Sequence, residues 1–330
     1  MSAVDRRRFV GGVLALAGSA AWSAPVWKVV GSNTCDQAAP GGAGNPPPVW
    51  KMIGSDSCEG GGAAGVWTTV AAMLTARAYH AGCGTAAATL AFGGYNAAAG
   101  KLAATESFDG SAWRAGGNLA VNRHALAGCG TPSAALAIGG NNGAQLASCE
   151  RYGGSAWAAA GRLLTARQLL AACGSASAAL AIGGQGGALL ATTESYNGTS
   201  WSAGPALPTA RYLHAACGTR TAALVVAGHG GSYLASSLIG NGTAWVAGAS
   251  LATARIDTGA SGSASLALVF GGYSGNLLAS AERLAGGVWA AAANLVTARY
   301  IHAGSGTASQ ALALGGFGAA GYLKSTEKYA

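Results

Sequence analysis

The sequence predicts an all-β protein, a six-bladed β-propeller with four strands in each blade. Three observations support this fold. A repeat of about 44 residues runs through most of the 330-residue chain, each repeat holds four short apolar segments, and 55 Gly interrupt any stretch of helical length. Short apolar segments separated by turn residues are typical of all-β folds. Four such segments in each repeat of this length describe a propeller blade.

The repeat is defined by residue types that return at fixed intervals. Successive Trp are separated by 46, 44, 44, 44 and 44 residues, at Trp67, Trp113, Trp157, Trp201, Trp245 and Trp289. An Arg recurs at the same intervals, at Arg77, Arg123, Arg167, Arg211, Arg255 and Arg299. A Gly pair and then a Glu follow each Arg, except in the fourth unit, where Ala227 replaces the first Gly and Leu238 replaces the Glu.

Within a unit the four strands follow in a fixed order. In the third unit QLLAACG is the first strand, ASAALAIGG the second, LLATTESY the third and TSWSAGPAL the fourth. Ala favours helix, but the closely spaced Gly break these segments. The repeats begin with an unpartnered Trp strand at 65–74 and end at Ala330, before a last Trp strand. We therefore expect the N-terminal strand to complete the sixth blade, which removes two free sheet edges.

These motifs resemble the Kelch family over residues 65–330. The shared features are the Arg before the first strand, the Gly pair that ends the second, a Glu-x-aromatic in the third and the Trp that opens the fourth. Three units carry the Arg as R-x-x-H, at Arg77/His80, Arg211/His214 and Arg299/His302. The resemblance implies a Kelch-like propeller in which the six Arg lie near one mouth of a central channel.

The six Arg have two interpretations at this stage. In the first, each Arg pairs with the repeated Glu as a buried structural ion pair. In the second, which the resemblance implies, the ring of Arg at the channel mouth binds an anionic ligand. Its members would be Arg77, Arg123, Arg167, Arg211, Arg255 and Arg299. Arg211 is of special interest because its unit lacks the Glu.

Cys and His also fall on the period. Cys83, Cys129, Cys173 and Cys217 share one position, which Ser261 and Ser305 take in the last two units. Replacement by Ser indicates a small buried position, and equivalent positions around an open ring are too far apart for a tetrahedral zinc site. The His of the R-x-x-H motifs are interpreted as structural. The sequence therefore predicts no metal site and no cofactor.

The sequence also predicts no catalytic residue. At most 12 residues separate the second Gly of a pair from the Glu, so no long loop is available to carry chemistry. Motifs of hydrolases, zinc proteases and phosphate-binding loops are missing from the chain. Charged residues make up 9% of it, and the net charge of +8 has no basic cluster beyond Arg6, Arg7 and Arg8. Nucleic-acid binding is therefore not predicted, and no apolar run is long enough to span a bilayer.

The first 24 residues resemble a twin-arginine export signal. Asp5-Arg6-Arg7-Arg8-Phe9-Val10 precedes the apolar segment GGVLALAGSAA, and such signals are read by an export receptor. Short basic and apolar segments also occur as uncleaved anchors. Both interpretations stay open.

Residues 25–64 are rich in Pro and Gly and contain a second repeat, PVWKVVGSNTCD and PVWKMIGSDSCE. One interpretation is an attachment segment whose two short strands add to the sheet of a partner subunit. Its contact residues would be Trp27, Lys28, Trp50 and Lys51. The other interpretation is a linker. Cys35 and Cys58 could form a disulfide if the protein leaves the cytoplasm.

The expected function is a non-enzymatic binding or structural protein. Residues 1–64 would attach a displayed propeller to other subunits of a larger assembly, as in phage tails, other virion proteins or adhesive cell surfaces. The propeller would recognise a host surface, a glycan or an anionic ligand. The expected location is a virion, the periplasm or the cell exterior. Two alternatives stay open, an exported isomerase similar to Kelch-type sialic-acid mutarotases and an intracellular Kelch adaptor for acidic peptides.

Overall fold

Short Ala- and Gly-rich strands alternate with tight turns throughout residues 65–330, the part of the chain that the computed structural model describes. The strands form six four-stranded antiparallel sheets, which are the blades of a six-bladed β-propeller. The predicted fold class is confirmed. The predicted signal, the attachment residues Trp27, Lys28, Trp50 and Lys51 and the pair Cys35 and Cys58 lie outside the described residues.

In each blade the strands run from the central channel outward. The first strands are Ala81–Gly84, Ala127–Thr131, Ala171–Ser175, Ala215–Thr219, Gly259–Gly262 and Ala303–Gly306. The second strands are Thr89–Phe92, Ala134–Ile138, Ala178–Ile182, Ala222–Val226, Ala267–Phe270 and Ala311–Leu314. The third strands are Thr105–Phe108, Cys149–Tyr152, Thr193–Tyr196, Ser237–Gly240, Ala281–Ala285 and Thr326–Tyr329. The fourth strands are Trp113–Ala115, Trp157–Ala160, Trp201–Ala203, Trp245–Ala247, Val288–Ala292 and, in blade six, Trp67–Val70.

Two short hairpins stand between the second and third strands of blades one and six. They are Tyr95–Asn96 with Gly100–Lys101, and Phe317–Gly318 with Gly321–Tyr322. In the other four blades the same connection is held by isolated bridges.

The N-terminal strand closes the ring, as the sequence predicts. Trp67 lies opposite Tyr329 and Val70 lies opposite Thr326 in an antiparallel pair. Two backbone hydrogen bonds between Val66 and Ala330, of 3.0 and 3.2 Å, extend this pairing by one residue. Blade six is therefore built from both ends of the described chain.

Small residues allow the first strands to crowd around the channel. A Cβ at Gly82 would come within 2.9 Å of Leu314 Cδ1 in the neighbouring blade, and one at Gly128 within 2.5 Å of Phe92 Cζ. The repeated Trp fill the wider space between blades further out. The ring centre of Trp157 lies 4.8 Å from that of Phe92 in blade one. These contacts explain why the strands are rich in Gly and Ala and still carry one large ring in each repeat.

Removing the closing strand is expected to destabilise the propeller. Deleting residues 1–72 removes the buried Trp67 and the whole outer strand of blade six, and loss of one buried Trp alone costs about 3–5 kcal/mol. The matched control is deletion of residues 1–64, which leaves every described strand in place. Urea denaturation followed by circular dichroism measures both. Equal unfolding midpoints for the two deletions would show that the closing strand contributes nothing.

Candidate functional site

The backbone of each repeated Arg joins its blade to the preceding blade. Arg123 N–H donates to Leu102 O at 3.1 Å, and Arg123 O accepts from Gly94 N–H at 2.8 Å. Both partners belong to blade one. The same two hydrogen bonds recur at Arg77, Arg167, Arg211, Arg255 and Arg299. Every blade is therefore fixed to its neighbour at the residue that leads into it.

The side chain of the same Arg is buried inside its own blade. Arg123 Nη1 donates to Gly139 O at 3.0 Å and to Ser148 O at 2.8 Å. Arg123 Nη2 donates to Glu150 Oε1 at 2.7 Å, and Glu150 Oε2 accepts from Ala120 N–H at 2.7 Å. The planar guanidinium, with its fixed fork of donors, suits this set of acceptors. The Arg–Glu pair thus holds the second strand, the third strand and the connection between blades together.

The structural interpretation of the Arg is confirmed in five blades. Besides Arg123–Glu150, the pairs are Arg77–Glu106, Arg167–Glu194, Arg255–Glu282 and Arg299–Glu327. Burial lowers the pKa of each of these Arg, and the carboxylate opposes that shift. Anion binding by the Arg ring stays a prediction. All six side chains are at most 2% exposed, so an anion at the channel mouth would have to displace these contacts to reach a guanidinium.

Blade four keeps the Arg but lacks the Glu and a backbone N–H that binds it. Leu238 stands in place of the Glu, and Pro208 stands where the other blades donate a backbone N–H to that Glu. Proline has no N–H, so the carboxylate is lost together with one of the two backbone donors that bind it in the other blades; Thr209 stands at the position of the second donor. Arg211 keeps hydrogen bonds to Ala227 O at 3.1 Å and to Ser236 Oγ at 3.3 Å. Burial lowers the pKa of Arg211 with no carboxylate to oppose it.

The residue two positions after each Arg takes part in a closed ring of hydrogen bonds around the channel. Each N–H donates to the carbonyl of the equivalent residue in the preceding blade, at 2.8–3.1 Å. All six residues have φ between 48° and 56°, a strained conformation for a residue other than Gly. We call this set the mouth ring; its members are Tyr79, Ala125, Leu169, Leu213, Asp257 and Ile301.

Asp257 is the unpaired carboxylate of residues 65–330. That part of the chain holds seven acids, of which five pair with the buried Arg and Asp109 pairs with Arg114 at the surface. The Asp257 carboxylate makes no hydrogen bond or ion pair with any described residue. Burial raises its pKa to about 8. Burial and the nearby Asp257 also raise the pKa of Tyr79, to about 12, and that of Tyr300.

Three further residues in each blade extend the mouth ring outward. The first is the residue after the Arg. It forms an antiparallel bridge with the second, which is the residue after the Gly pair (after Ala227–Gly228 in blade four). The second residue also pairs with the third, across the hairpin between the second and third strands. We call the mouth ring and these positions the upper face. Blades one to three contribute Ala78, Tyr95 and Lys101, then His124, Asn141 and Gln145, then Gln168, Gln185 and Leu189. Blades four to six contribute Tyr212, His229 and Tyr233, then Ile256, Tyr273 and Leu277, then Tyr300, Phe317 and Tyr322.

Aromatic rings form a continuous arc on the upper face. Neighbouring ring centres along it are 5.0–6.3 Å apart. We call it the aromatic arc, and its order is Tyr212, His229, Tyr233, Tyr273, Tyr300, Phe317, Tyr322, Tyr95, His124 and Tyr79. Seven of the ten Tyr of the chain belong to it, so tyrosine is concentrated on one end of the propeller.

Amide side chains take the place of aromatic rings in blades two and three. Gln168 Nε2 donates to Gln185 Oε1 at 3.1 Å. This leaves Gln168 Oε1 and Gln185 Nε2 without a partner among the described residues. Asn141 and Gln145 lie opposite each other in the corresponding hairpin of blade two. We call these four half-buried residues the amide patch.

The upper face varies where the scaffold repeats. The position after the Gly pair is occupied in turn by Tyr95, Asn141, Gln185, His229, Tyr273 and Phe317. The Arg and the Trp are the same in all six units. The repeat predicts the scaffold residues, but it does not predict the upper face, because the residues of that face differ from blade to blade. The available signal was the polar or aromatic character of most residues at these fixed offsets from the Arg and the Gly pair.

The periodic Cys and His lie inside the propeller. Cys83, Cys129, Cys173 and Cys217 are buried and free, which confirms the predicted small buried position. Burial raises the pKa of Cys83 and Cys217 to about 12, so these thiols stay protonated at neutral pH. Burial and the adjacent Arg lower the pKa of His214 and His302 to about 3. Within residues 65–330 no group of three or more His, Cys, Asp or Glu could hold a metal ion.

The described residues form a six-bladed β-propeller whose upper face carries different side chains in different blades. Its blades are compatible with those of a Kelch-type propeller. No family model matches the chain, and the search of curated proteins found no match. The described residues include no helix that is long and apolar enough to cross a membrane.

Restoring the missing contacts of blade four should reveal their coupling. Leu238→Glu gives Arg211 a carboxylate, and Pro208→Ala restores the N–H that binds it. We expect the free energy of unfolding of the double variant to exceed the value that the two single effects add up to by about 1.5–3 kcal/mol. The reason is that the hydrogen bond from residue 208 N–H to the new carboxylate forms only when both substitutions are present. Urea denaturation of all four proteins measures this. The matched variant Glu194→Leu in blade three should cost about 3–5 kcal/mol, because it leaves Arg167 unpaired. Additive single effects would contradict the coupling.

Asp257 should make the stability of the protein depend on pH. Its folded-state pKa of about 8 exceeds the ordinary value of about 3.9, so the folded protein holds this proton more tightly than the unfolded chain. The contribution of Asp257 to the free energy of unfolding is therefore expected to fall as the pH rises from about 4 to about 8. Tyr79 and Tyr300, the neighbouring titratable groups, stay protonated in this range. Denaturation of the wild type and Asp257→Asn at about pH 5 and about pH 8 should show the variant gaining relative stability at the higher pH. A difference that does not change with pH would contradict this.

Proposed function

We propose that this protein is a non-enzymatic recognition protein of the Kelch type, whose propeller binds a ligand on the upper face. Residues 1–64 attach it to a larger assembly such as a virion tail or a cell surface. One observation carries the proposal: the side chains of the upper face differ from blade to blade on a scaffold that repeats. Packing sets the same requirements in every blade, so residues that differ between blades are free to serve binding.

The Kelch assignment is supported by the role of each motif residue. The Arg and Glu pair within a blade, the Gly pair takes positive φ at the exit from the second strand, and the Trp pack between blades. These are structural roles that a blade needs wherever it occurs. The resemblance seen in the sequence and the contacts seen in the fold therefore support each other.

A binding role is favoured over an isomerase role by the charges near the channel. General acid–base catalysis needs groups with matched proton affinities within reach of the substrate. Among the described residues of the upper face, Asp257 is the single carboxylate, and Tyr79 and Tyr300 beside it hold their protons. The six guanidinium groups stay buried, so an anionic sugar at the mouth would find no cation of the Arg ring to bind. The same objection applies to an adaptor for acidic peptides.

Attachment through residues 1–64 rests on their sequence. The two PVWK segments repeat a motif that is foreign to the propeller, and each carries an aromatic ring, a cation and an apolar pair. Such short segments can add strands to a partner's sheet. A separate attachment segment would leave the upper face of the propeller free to bind its ligand.

Deleting residues 1–64 is expected to abolish incorporation into the native assembly without unfolding the propeller. The experiment compares the full chain, residues 65–330 and Tyr300→Ala in assemblies isolated from the native source, with circular dichroism as the folding control. Tyr300→Ala should be incorporated normally, because it alters the upper face alone. Incorporation of residues 65–330 at the level of the full chain would exclude the attachment role.

A further inference from the structure

We infer that the upper face is a binding site for a neutral oligosaccharide, an inference that rests on the proposed recognition function. Three features of the face carry it: the aromatic arc, the amide patch and the near absence of charge. Each matches one property of a sugar chain. Sugar rings have apolar C–H faces, rims of hydroxyl groups and, in neutral glycans, no charge.

The aromatic arc offers rings for the apolar faces of sugars. Its rings are partly exposed, and Tyr233 is 39% exposed. The hydroxyl groups of its seven Tyr have no hydrogen-bond partner among the described residues. A tyrosine ring packs against C–H groups while its hydroxyl donates to or accepts from a sugar hydroxyl. One side chain type therefore meets both the face and the rim of a sugar ring, and with little loss of conformational entropy.

The amide patch complements the arc on the other side of the mouth. The Gln168–Gln185 hydrogen bond orients both amides and leaves one acceptor, Gln168 Oε1, and one donor, Gln185 Nε2, available to a ligand. Neighbouring sugar hydroxyls each donate and accept, so they can pair with such a fixed donor and acceptor. Orientation by a protein hydrogen bond also reduces the entropy lost when a ligand binds.

The mouth itself can receive the end of a glycan. The cavity there has a volume of about 150 Å³ and is lined by the mouth ring and the residues that follow it. This is room for about five waters. Asp257, which has no partner among residues 65–330, lies at this cavity and can accept from sugar hydroxyls or, when protonated, also donate to them.

The charges of the face argue against other ligand classes. Its 24 positions include one cation, Lys101, and one acid, Asp257. Nucleic acids require several Lys or Arg at their phosphates, and acidic glycans require cations as well. Protein-binding surfaces share this enrichment in Tyr and Phe, but they also favour Trp, Arg and Met at their centres, and the upper face has none of these last three. A neutral, hydroxylated ligand fits the residues that are present.

Binding of the full-length protein to an immobilised panel of oligosaccharides tests the inference. The panel contains neutral glucans, mannans, galactans and N-acetylhexosamine polymers, with sialylated and uronic-acid glycans for comparison. Saturation-transfer NMR and calorimetry follow each positive result. We expect saturable binding of at least one neutral oligosaccharide, weakened at least about tenfold by Tyr273→Ala and by Tyr300→Ala. Tyr300→Phe should retain more affinity than Tyr300→Ala, because it keeps the ring.

The control variant is Val288→Ala, an exposed residue on the outer strand of blade five, which should bind as the wild type does. Thermal melting confirms that every variant is folded. Failure of all neutral oligosaccharides to bind would overturn the inference. Binding of an acidic glycan alone, lost in the tyrosine variants, would overturn the neutral-sugar class but keep the recognition function. Binding that no upper-face variant weakens would overturn both.

Discussion

The propeller depends on a buried Arg that belongs to two blades at once. Its backbone hydrogen-bonds to the preceding blade, and its side chain pairs with a Glu inside its own. A buried cation is tolerable when a carboxylate and backbone carbonyls satisfy it, and removing one partner leaves an unpaired charge in the interior. Because the hydrogen bonds of the four-stranded sheets lie within blades, these contacts, the Trp and the mouth ring join one blade to the next. The backbone contact occurs six times around the ring, and the Arg–Glu pair occurs in five of the six blades.

Fixing the Arg also fixes the residues that follow it. The next residue pairs with the exit of the second strand, and the one after enters the left-handed region to complete the mouth ring. Six hydrogen bonds hold that strained conformation in residues as different as Ala125 and Asp257. Since the backbone alone makes these bonds, the side chains there are free to change. The scaffold thereby separates the requirements of folding from those of binding.

Repetition explains what the sequence could and could not predict. The blades, the closing strand, the Arg–Glu pairs and the buried Cys each recur, so a periodic search finds them. Tyr273 and Gln185 occupy equivalent positions with different chemistry, and no period identifies them. Pro208 was missed for another reason. The effect of Pro208 can be recognised only when the hydrogen bond that it prevents is known. That hydrogen bond, from a backbone N–H to the Glu, is present in the other five blades of the structure.

The scaffold is close to six-fold symmetric, but its upper face is not. Aromatic rings extend from blade four through blades five, six and one to His124 of blade two, while amides occupy blades two and three. The arc and the amide patch meet in blade two, where His124 Nδ1 lies 3.0 Å from Asn141 O, so the proposed ligand would meet aromatic rings in some blades and amides in others. Asp257, in blade five, lines the mouth on the side of the arc, near Tyr300. Asymmetry of side chains on a symmetric backbone thus makes the blades of the proposed binding surface chemically different from one another.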